Sequence, residues 1–163
     1  MAEKWPRLAS NYLRSHALKD VLFEPDYPHN ALPTNTDCKG CDANRSLVRD
    51  PPERGTKIHY GLIASGNQVI KNATRRDELN DELGGNVLCV EMEAAGLMDN
   101  FPCLVIRGIC DYADSHKNKE WQKHAAAVAA AYAKDLLQEV PSAVANEGTA
   151  LDVINKGRFP SRR

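Results

Sequence analysis

The chain has 163 residues, of which 42% are hydrophobic and 26% are charged, and its formal net charge is −1. This composition indicates a soluble globular protein of about one domain, and so small a charge gives no electrostatic reason to expect nucleic acid or an anionic membrane as a partner. No apolar run reaches the roughly 18 residues of a membrane span, and the N-terminal "MAEKWPRLAS" lacks the apolar stretch of a signal peptide. We therefore expect a cytoplasmic protein with a small-molecule or protein partner.

The first part of the chain, residues 1–56, is rich in proline and polar side chains, which interrupt regular secondary structure. Only residues 8–23 carry apolar side chains at helical spacing, and they predict one helix. The rest of this segment is expected to be irregular and to include a lid-like loop. The helical positions are Leu8, Tyr12, Leu13, Leu18, Leu22 and Phe23.

Strand and helix patterns alternate from residue 57 onward. The predicted strands are residues 58–66, 86–90 and 102–109, and the predicted helices between them are residues 74–85 and 91–100. The third strand is mostly apolar, as strands buried on both faces of a sheet are. This order predicts parallel βαβ units with right-handed crossovers, and hence an α/β sandwich over residues 57–140.

The last predicted helix spans residues 121–140, because its apolar side chains fall on one helical stripe and Pro141 ends it. Residues 141–163 are expected to form a polar tail. The stripe consists of Trp121, Ala125, Val128, Tyr132, Leu136 and Val140.

Three carboxylates follow predicted strands. Glu91 and Glu93 come directly after the second strand, and Asp111 follows the third. Open parallel sheets bind ligands beyond the carboxyl ends of their strands, so these acids are candidates for hydrogen-bonding sugar hydroxyls and for donating a proton to a leaving group. The alternative is structural and is the commoner situation, because acids in a first helical turn complement the helix dipole and aspartate is a frequent N-cap.

Arg107 lies within the apolar third strand, where a buried cation requires an anionic partner. Glu91 is the expected partner. This pairing would make Glu91 the inner, structural acid and leave Glu93 facing the pocket.

Five cysteines, an odd number, indicate reduced thiols rather than a disulfide framework. Cys38 and Cys41 have the spacing of a zinc-binding pair, but no second pair follows, so we expect a lid-like loop without metal. Beyond Asp111, two histidines and two lysines are expected to be solvated, with His116 able to reach the pocket mouth. These side chains are His116, Lys117, Lys119 and His124.

Three ordered motifs carry a family resemblance: "GLIASGNQVI", "VEMEAAGL" and "PCLVIRGICDYAD". Together they resemble the C-terminal half of the nucleoside phosphorylase superfamily, which includes purine nucleoside phosphorylase, uridine phosphorylase and methylthioadenosine nucleosidase. The resemblance covers about residues 58–140. The residues of these motifs are similar to the versions found in fungal multidomain proteins, where such a domain is joined to nucleotide-binding or repeat modules.

This resemblance implies a three-layer α/β/α sandwich that cleaves the N-glycosidic bond of a nucleoside, without a cofactor and with phosphate or water as the nucleophile. It implies that Glu93, with Met92 and Glu91, binds the ribose. Asp111 would be the general acid toward the purine ring nitrogen. The base site would be lined by Asn67, Val69 and Ile70.

The sequence also departs from the family pattern. Asn67 and Val69 stand where purine sites often have an acidic and an aromatic residue, which leaves the base preference open. No glycine-rich anion-binding loop precedes residue 57, so we expect a partial domain that lacks its N-terminal strands and is weak or inactive alone. A second copy or the missing half would then be its partner. The sequence leaves three hypotheses for the function of the chain: a nucleoside-cleaving enzyme, a catalytically silent nucleoside-sensing module of a larger signalling protein, or a truncated remnant.

Overall fold

Helices and strands alternate along the chain in the computed structural model, which describes residues 6–15, 18–30, 38–48, 56–101, 103–117 and 119–139. The α-helices and strands of these residues are α1 (Pro6–Tyr12), β1 (Leu62–Ser65), α2 (Ala73–Glu82), β2 (Val87–Glu91), α3 (Ala95–Met98) and α4 (Gln122–Glu139). Two short 3-10 turns, Cys38–Gly40 and Ala43–Arg45, interrupt the irregular N-terminal segment. No helix in the described ranges is long and apolar enough to cross a membrane.

The two strands β1 and β2 form a small parallel sheet. Ile63 pairs with Cys89, and Ser65 pairs with Glu91, so the carboxyl ends of both strands lie side by side. Helix α2 connects the strands, as a parallel pair requires a crossover. The expected mixed α/β class is therefore confirmed.

Helix α2 has defined signals at both ends. The Asn72 side chain accepts the Arg75 N–H at 3.0 Å and caps the first turn. After the last turn, Gly84 and Gly85 adopt φ angles of 93° and 77°, which glycine adopts without steric cost. Asn80 then accepts the Val87 N–H at 3.0 Å, which ties the end of α2 to the start of β2.

Helix α4 approaches the segment 103–110 at Gly108, although Leu104 and Ile109 of that segment are 47% and 54% exposed. A Cβ on Gly108 would lie only 2.1 Å from the Ala125 carbonyl oxygen, so the two backbones touch. The hydroxyls of Tyr60 and Tyr132 lie 3.0 Å apart, which joins α4 to the segment before β1. Val140, the last residue predicted for the stripe, and the polar tail lie outside the described residues.

The predicted third strand differs from the structure. Residues 103–110 form no ladder with β1 or β2 among the described residues. An apolar run does not specify backbone pairing, and here the backbone at Gly108 lies against α4 instead, while Leu104 and Ile109 are about half exposed.

The helix predicted over residues 8–23 ends at Tyr12. Its last predicted residues pair with a distant part of the chain instead. Phe23 and Ser46 form an antiparallel bridge, and the Leu47 N–H donates to the Leu22 carbonyl at 2.8 Å. Because extended pairing and helical hydrogen bonds use the same backbone groups, the helical pattern could not persist there.

Candidate active site

A cleft of about 1160 Å³ opens at the carboxyl ends of β1 and β2. It is bounded by these strand ends, by α2 and by the segment from Arg107 to Ala113. All the side chains predicted for the site line this cleft: Asn67, Val69, Ile70, Glu91, Met92, Glu93, Arg107 and Asp111. Among them, Val69 and Met92 are about half exposed, at 50% and 43%.

Glu91 organises the turn between β2 and α3. Glu91 is only 8% exposed. Its carboxylate accepts hydrogen bonds from the backbone N–H of Glu93 at 2.9 Å and from that of Ala94 at 3.0 Å. From the neighbouring strand end, the Ser65 Oγ accepts the Ala95 N–H at 2.8 Å. The oxygens of Glu91 are thus used by the protein backbone, and the turn they hold carries Met92 and Glu93.

The environment of Glu91 keeps its carboxyl ionised. Burial acts to raise the pKa, but hydrogen bonds from Ser65 and from the N–H groups of Glu93 and Ala94, together with the charge of Arg107, outweigh it. The pKa of Glu91 therefore lies below its usual range. A charged side chain at this position strengthens the hydrogen bonds of the turn.

Arg107 pairs with a different acid from the one expected. Its guanidinium lies 3.1 Å from Glu93 Oε2, and the side chains are 41% and 61% exposed. The expected ion pair with buried Glu91 is wrong, because the Glu91 carboxylate is taken by backbone N–H groups. Glu93 nevertheless faces the cleft, as the sequence predicted.

Asp111 is held on three sides. Its Oδ1 accepts the Ala113 N–H at 3.0 Å, the Cys110 thiol donates to Oδ2 at 3.4 Å, and Lys117 Nζ lies 3.3 Å from Oδ2. Ala113 has a φ of 55°, a conformation that costs a non-glycine residue on the order of 1–2 kcal/mol. The turn after Asp111 is therefore strained, as backbone at functional sites often is.

Lys117 is a site residue that sequence reasoning missed. It was expected to be solvated, but it lines the cleft and pairs with Asp111. The only available signal was its position six residues after the acid, which is not a spacing that predicts contact.

The other cations of the cleft are paired as well. Arg75 binds Glu82 at 2.9 Å, and Arg76 binds Asp77 at 2.7 Å while donating to the Tyr112 carbonyl at 2.8 Å. With the pairs of Arg107 and Lys117, every cationic side chain that lines the cleft in the described ranges has a carboxylate partner. An anionic ligand would have to displace one of these acids.

The thiols of Cys89 and Cys110 also line the cleft. Burial raises the pKa of both, and Asp111 raises that of Cys110 further, by its charge and by accepting the thiol hydrogen bond. Since the thiolate is the nucleophilic form of cysteine, neither group is suited to covalent catalysis.

Two histidines expected at the surface are not solvated. His116 is 7% exposed and stacks on Phe23 with ring centroids 4.0 Å apart. His124 is half-buried, and its Nδ1 lies 3.0 Å from the Tyr12 carbonyl oxygen on α1. Neither side chain lines this cleft, although both line a neighbouring cavity that shares Arg107 and Asp111 with it.

Known proteins that are similar in sequence identify the family of this chain. Residues 8–140 match the sequence model of the Phosphorylase superfamily. The chain belongs to the phosphorylase superfamily. The match to the family begins at residue 8. It therefore includes most of the Pro-rich segment, residues 1–56, which the sequence pattern separates from the α/β part.

The relatives come from two kinds of protein. A nucleotide-binding leucine-rich repeat (NLR)-like protein of Hyaloscypha variabilis is 53% identical over 119 residues, which are 72% of this chain and 11% of that protein. The 5'-methylthioadenosine/S-adenosylhomocysteine nucleosidases of Mycobacterium bovis and Mycobacterium tuberculosis are each 33% identical over 93 residues, 54% of this chain and 36% of theirs. No solved structure matches. The resemblance to this family and to its fungal multidomain versions is confirmed, and the chain is a nucleoside phosphorylase- or nucleosidase-like domain that spans a minor part of each relative.

Proposed function

We propose that the cleft binds a purine nucleoside and cleaves its N-glycosidic bond. The observation that carries the proposal is that the side chains of Glu93 and Asp111 line one cleft although they follow different predicted strands. The mycobacterial relatives, named as nucleosidases of adenosine derivatives, support a purine ligand.

Glu93 is the proposed ligand of the ribose hydroxyls. Its carboxylate is largely exposed, and the turn held by Glu91 fixes the backbone beneath it. Hydrogen bonds to the hydroxyls stabilise the sugar as it becomes oxocarbenium-like, so they contribute more in the transition state than in the ground state. Met92, beside Glu93, packs against the sugar.

Asp111 is the proposed general acid. The C–N bond of the nucleoside breaks, its electron pair moves onto the base, and protonated Asp111 donates its proton to a purine ring nitrogen. The base would lie along Asn67, Val69 and Ile70, which line the cleft. Val69 and Ile70 offer apolar contact, Asn67 offers an amide for hydrogen bonding, and none of the three has an aromatic ring. Lys117 holds the Asp111 side chain in position between turnovers.

Water is the favoured nucleophile: it attacks the anomeric carbon as the base leaves and releases its surplus proton to solvent, and Asp111 takes up a proton from solvent before each turnover. The paired state of the cleft cations supports this choice, because phosphate needs cationic side chains or backbone N–H groups that are free to bind it. Phosphorolysis remains the second option.

The parallel pair of strands is proposed to be part of a three-layer α/β/α sandwich. Leu62 in β1 and Leu88 in β2 are exposed at 45% and 41%, which supports further packing partners for this sheet. An N-terminal half or a second copy of the chain would supply that cover.

A nucleoside-sensing module without catalysis is the second candidate. It is favoured by the 53% identity to a fungal NLR-like protein, of which this chain matches 11%. In such a protein the same cleft would bind a nucleoside and leave it intact.

Binding and cleavage can be measured on the same protein, the chain supplied with its proposed N-terminal half or partner copy, because the chain alone is expected to be weak or inactive. Methylthioadenosine and adenosine are titrated by calorimetry, and released base is followed by chromatography with and without phosphate. Glu93→Gln is expected to weaken binding and turnover together. Asp111→Asn is expected to keep binding and to lower turnover by on the order of 10²–10⁴.

Two exposed acids of α4 give matched controls, since neither lines the cleft. Asp135→Asn and Glu139→Gln should behave like the parent protein. Binding that Glu93→Gln weakens, without any release of base, would establish the sensing function instead. Absence of nucleoside binding with the proposed N-terminal half or partner copy present would refute both candidates.

A further inference from the structure

Three metal-ligating side chains meet outside the cleft, in the N-terminal segment. A ring nitrogen of His29 and the sulfurs of Cys38 and Cys41 all lie within 4.8 Å of one another. All three residues are half-buried. The cysteine pair therefore has a third potential ligand, which the sequence does not reveal because His29 lies outside any regular zinc motif.

The local backbone brings the two sulfurs together. Residues Cys38–Gly40 form a 3-10 turn, and the Cys41 N–H donates to the Cys38 carbonyl at 3.1 Å. In a tetrahedral zinc site with Zn–S of about 2.3 Å and Zn–N of about 2.1 Å, ligand atoms lie roughly 3.4–3.8 Å apart. Side-chain shifts of about 1 Å would bring the three observed atoms to these distances.

His116 lies beside this group. Its ring is edge-on to that of His29 with centroids 5.5 Å apart, and its carbonyl oxygen is 3.6 Å from Cys38 Sγ. Two imidazoles on one tetrahedral zinc ion have centroids about 5 Å apart, close to the observed spacing. His116 is not among the side chains whose ligand atoms already lie within 4.8 Å of one another, so its ring has to move toward the other three to share an ion.

One ring nitrogen of His116 lacks a hydrogen-bond partner in the described part of the chain. The side chain is 4% exposed, and this nitrogen is Nε2. Its other nitrogen, Nδ1, lies 3.9 Å from Asp114 Oδ2. In metal-binding histidines, one ring nitrogen binds the metal and the other usually faces a carboxylate, a carbonyl or water. His116 has a carboxylate near Nδ1 and leaves Nε2 available for a metal.

We propose that His29, Cys38, Cys41 and His116 bind one zinc ion. Two sulfur and two imidazole donors form a donor set typical of structural, four-coordinate zinc. The earlier expectation of a metal-free loop rested on the lack of a second cysteine pair, and two histidines provide the remaining ligands here.

The ion would join the N-terminal segment to the segment that follows Asp111. These two parts already touch, since the His29 N–H donates to Ser115 Oγ at 2.9 Å. Residues 111–117 would then be fixed by zinc at His116 and by Arg76 at the Tyr112 carbonyl, 2.8 Å away. Only this link to Asp111 rests on the proposed function; the zinc site does not.

The test is the metal content of the whole chain, purified without a histidine tag or chelator from cells grown with added zinc. We expect about one zinc per chain by elemental analysis. Cobalt added to the metal-free protein should give a thiolate-to-cobalt charge-transfer band and the visible bands of tetrahedral cobalt. Cys38→Ser and Cys41→Ser should each remove most of the zinc, whereas Cys103→Ser, a half-buried cysteine outside the group, should keep it.

Alkylation of the parent protein separates metal binding from a folding defect of these variants. With zinc bound, Cys38 and Cys41 should resist alkylation, and a chelator should expose both while Cys103 reacts equally in either state. His116→Gln should weaken zinc binding at least tenfold, the scale of changes next to a metal. Exposed His59 supplies the control, His59→Gln.

Three results would overturn the assignment: far less than one zinc per chain together with no cobalt spectrum, alkylation that zinc does not slow, or a Cys38–Cys41 disulfide in protein kept under reducing conditions. An unchanged zinc affinity in His116→Gln would remove His116 from the ligand set.

Discussion

The turn at the strand ends is held by hydrogen bonds between residues close in space and at the strand ends, whereas the N-terminal segment is held by contacts with residues far away in the sequence. In the turn, Glu91 and Ser65 bind backbone N–H groups of residues 93–95, so short hydrogen bonds fix the chain locally. In the N-terminal segment, order depends on distant partners: Phe23 stacks on His116, and Arg45 forms ion pairs with Glu24 and Asp26.

This difference predicts how each region fails. A turn held by its own side chains is sensitive to the few atoms that make those hydrogen bonds and tolerates changes elsewhere. A segment held by ring stacking over long sequence separations is lost as a unit when one central contact is removed. The four predictions below test these two behaviours, from the largest expected effect to the smallest.

Replacing Phe23 should have the largest effect, on the N-terminal segment. Phe23 is 5% exposed and contacts the rings of Tyr27 and His116. Phe23→Ala should lower the free energy of unfolding by about 3–5 kcal/mol in urea denaturation, because it removes a buried aromatic ring. Phe101→Ala is the control, since Phe101 is 68% exposed and should change stability by less than about 0.5 kcal/mol. Similar losses for the two variants would contradict the stacked cluster.

Gly108→Ala should disturb the support of the cleft. The new Cβ would meet the Ala125 carbonyl at 2.1 Å, and both contacting groups are backbone, so α4 and residues 107–111 must move apart. We expect a loss of about 1–3 kcal/mol in thermal or urea unfolding, as for other overpacked sites. In Gly96→Ala the new methyl meets nothing within 4 Å, and alanine favours the helix by about 0.5–1 kcal/mol. If both glycines tolerate alanine equally, the close approach of α4 is incorrect.

Glu91→Gln should break the turn itself. The amide oxygen can take the Oε2 position and accept from Glu93 and Ala94, but the charge is lost and the NH₂ then faces the Ala94 N–H, which lies 3.3 Å from Oε1. We therefore expect a loss of about 1–3 kcal/mol at neutral pH.

The pH dependence of stability gives a second measure. Because the folded pKa of Glu91 is lowered, the unfolded chain takes up the proton first as the pH falls. The contribution is complete above the unfolded value of about 4.3 and is lost as the pH drops through the folded pKa below it. Glu91→Gln should flatten this fall in urea titrations, and Glu139→Gln, an exposed acid on α4, should not. Parallel curves for Glu91→Gln and the parent would disprove the assignment.

The same contrast explains what the sequence predicted of the fold. Periodicity and capping residues located β1, α2, β2 and α4 within a few residues, because those signals act over one or two turns. The helix over residues 8–23 failed since its second half pairs with residues 46 and 47, and no local pattern reports such a partner. The strand over residues 102–109 failed because an apolar run does not specify a pairing partner: residues 103–110 join no ladder among the described residues, and Leu104 and Ile109 are about half exposed.

The site was predictable as a group of residues but not as a set of contacts. The strand-end rule placed Glu91, Glu93 and Asp111 near one cleft, and their roles stay predictions. The partners of these acids depended on side-chain directions that spacing does not give. Lys117 reaches Asp111, and the histidines beside the cysteine pair come from parts of the chain that are far apart in sequence.

Arg107→Met should have the smallest effect and thereby sharpens the comparison. The sequence predicted a buried ion pair whose disruption costs several kcal/mol, but Arg107 and Glu93 are 41% and 61% exposed. An exposed pair contributes about 0.2–1 kcal/mol, so the free energy of unfolding should change by no more than about 1 kcal/mol. A double-mutant cycle with Glu93→Gln isolates the pair and should give a coupling energy in the same range. A coupling above about 3 kcal/mol would restore the buried pair. Because the hydrogen bonds of Glu91 and Ser65 hold the turn that carries Glu93, nucleoside binding should also fall less in Arg107→Met than in Glu93→Gln.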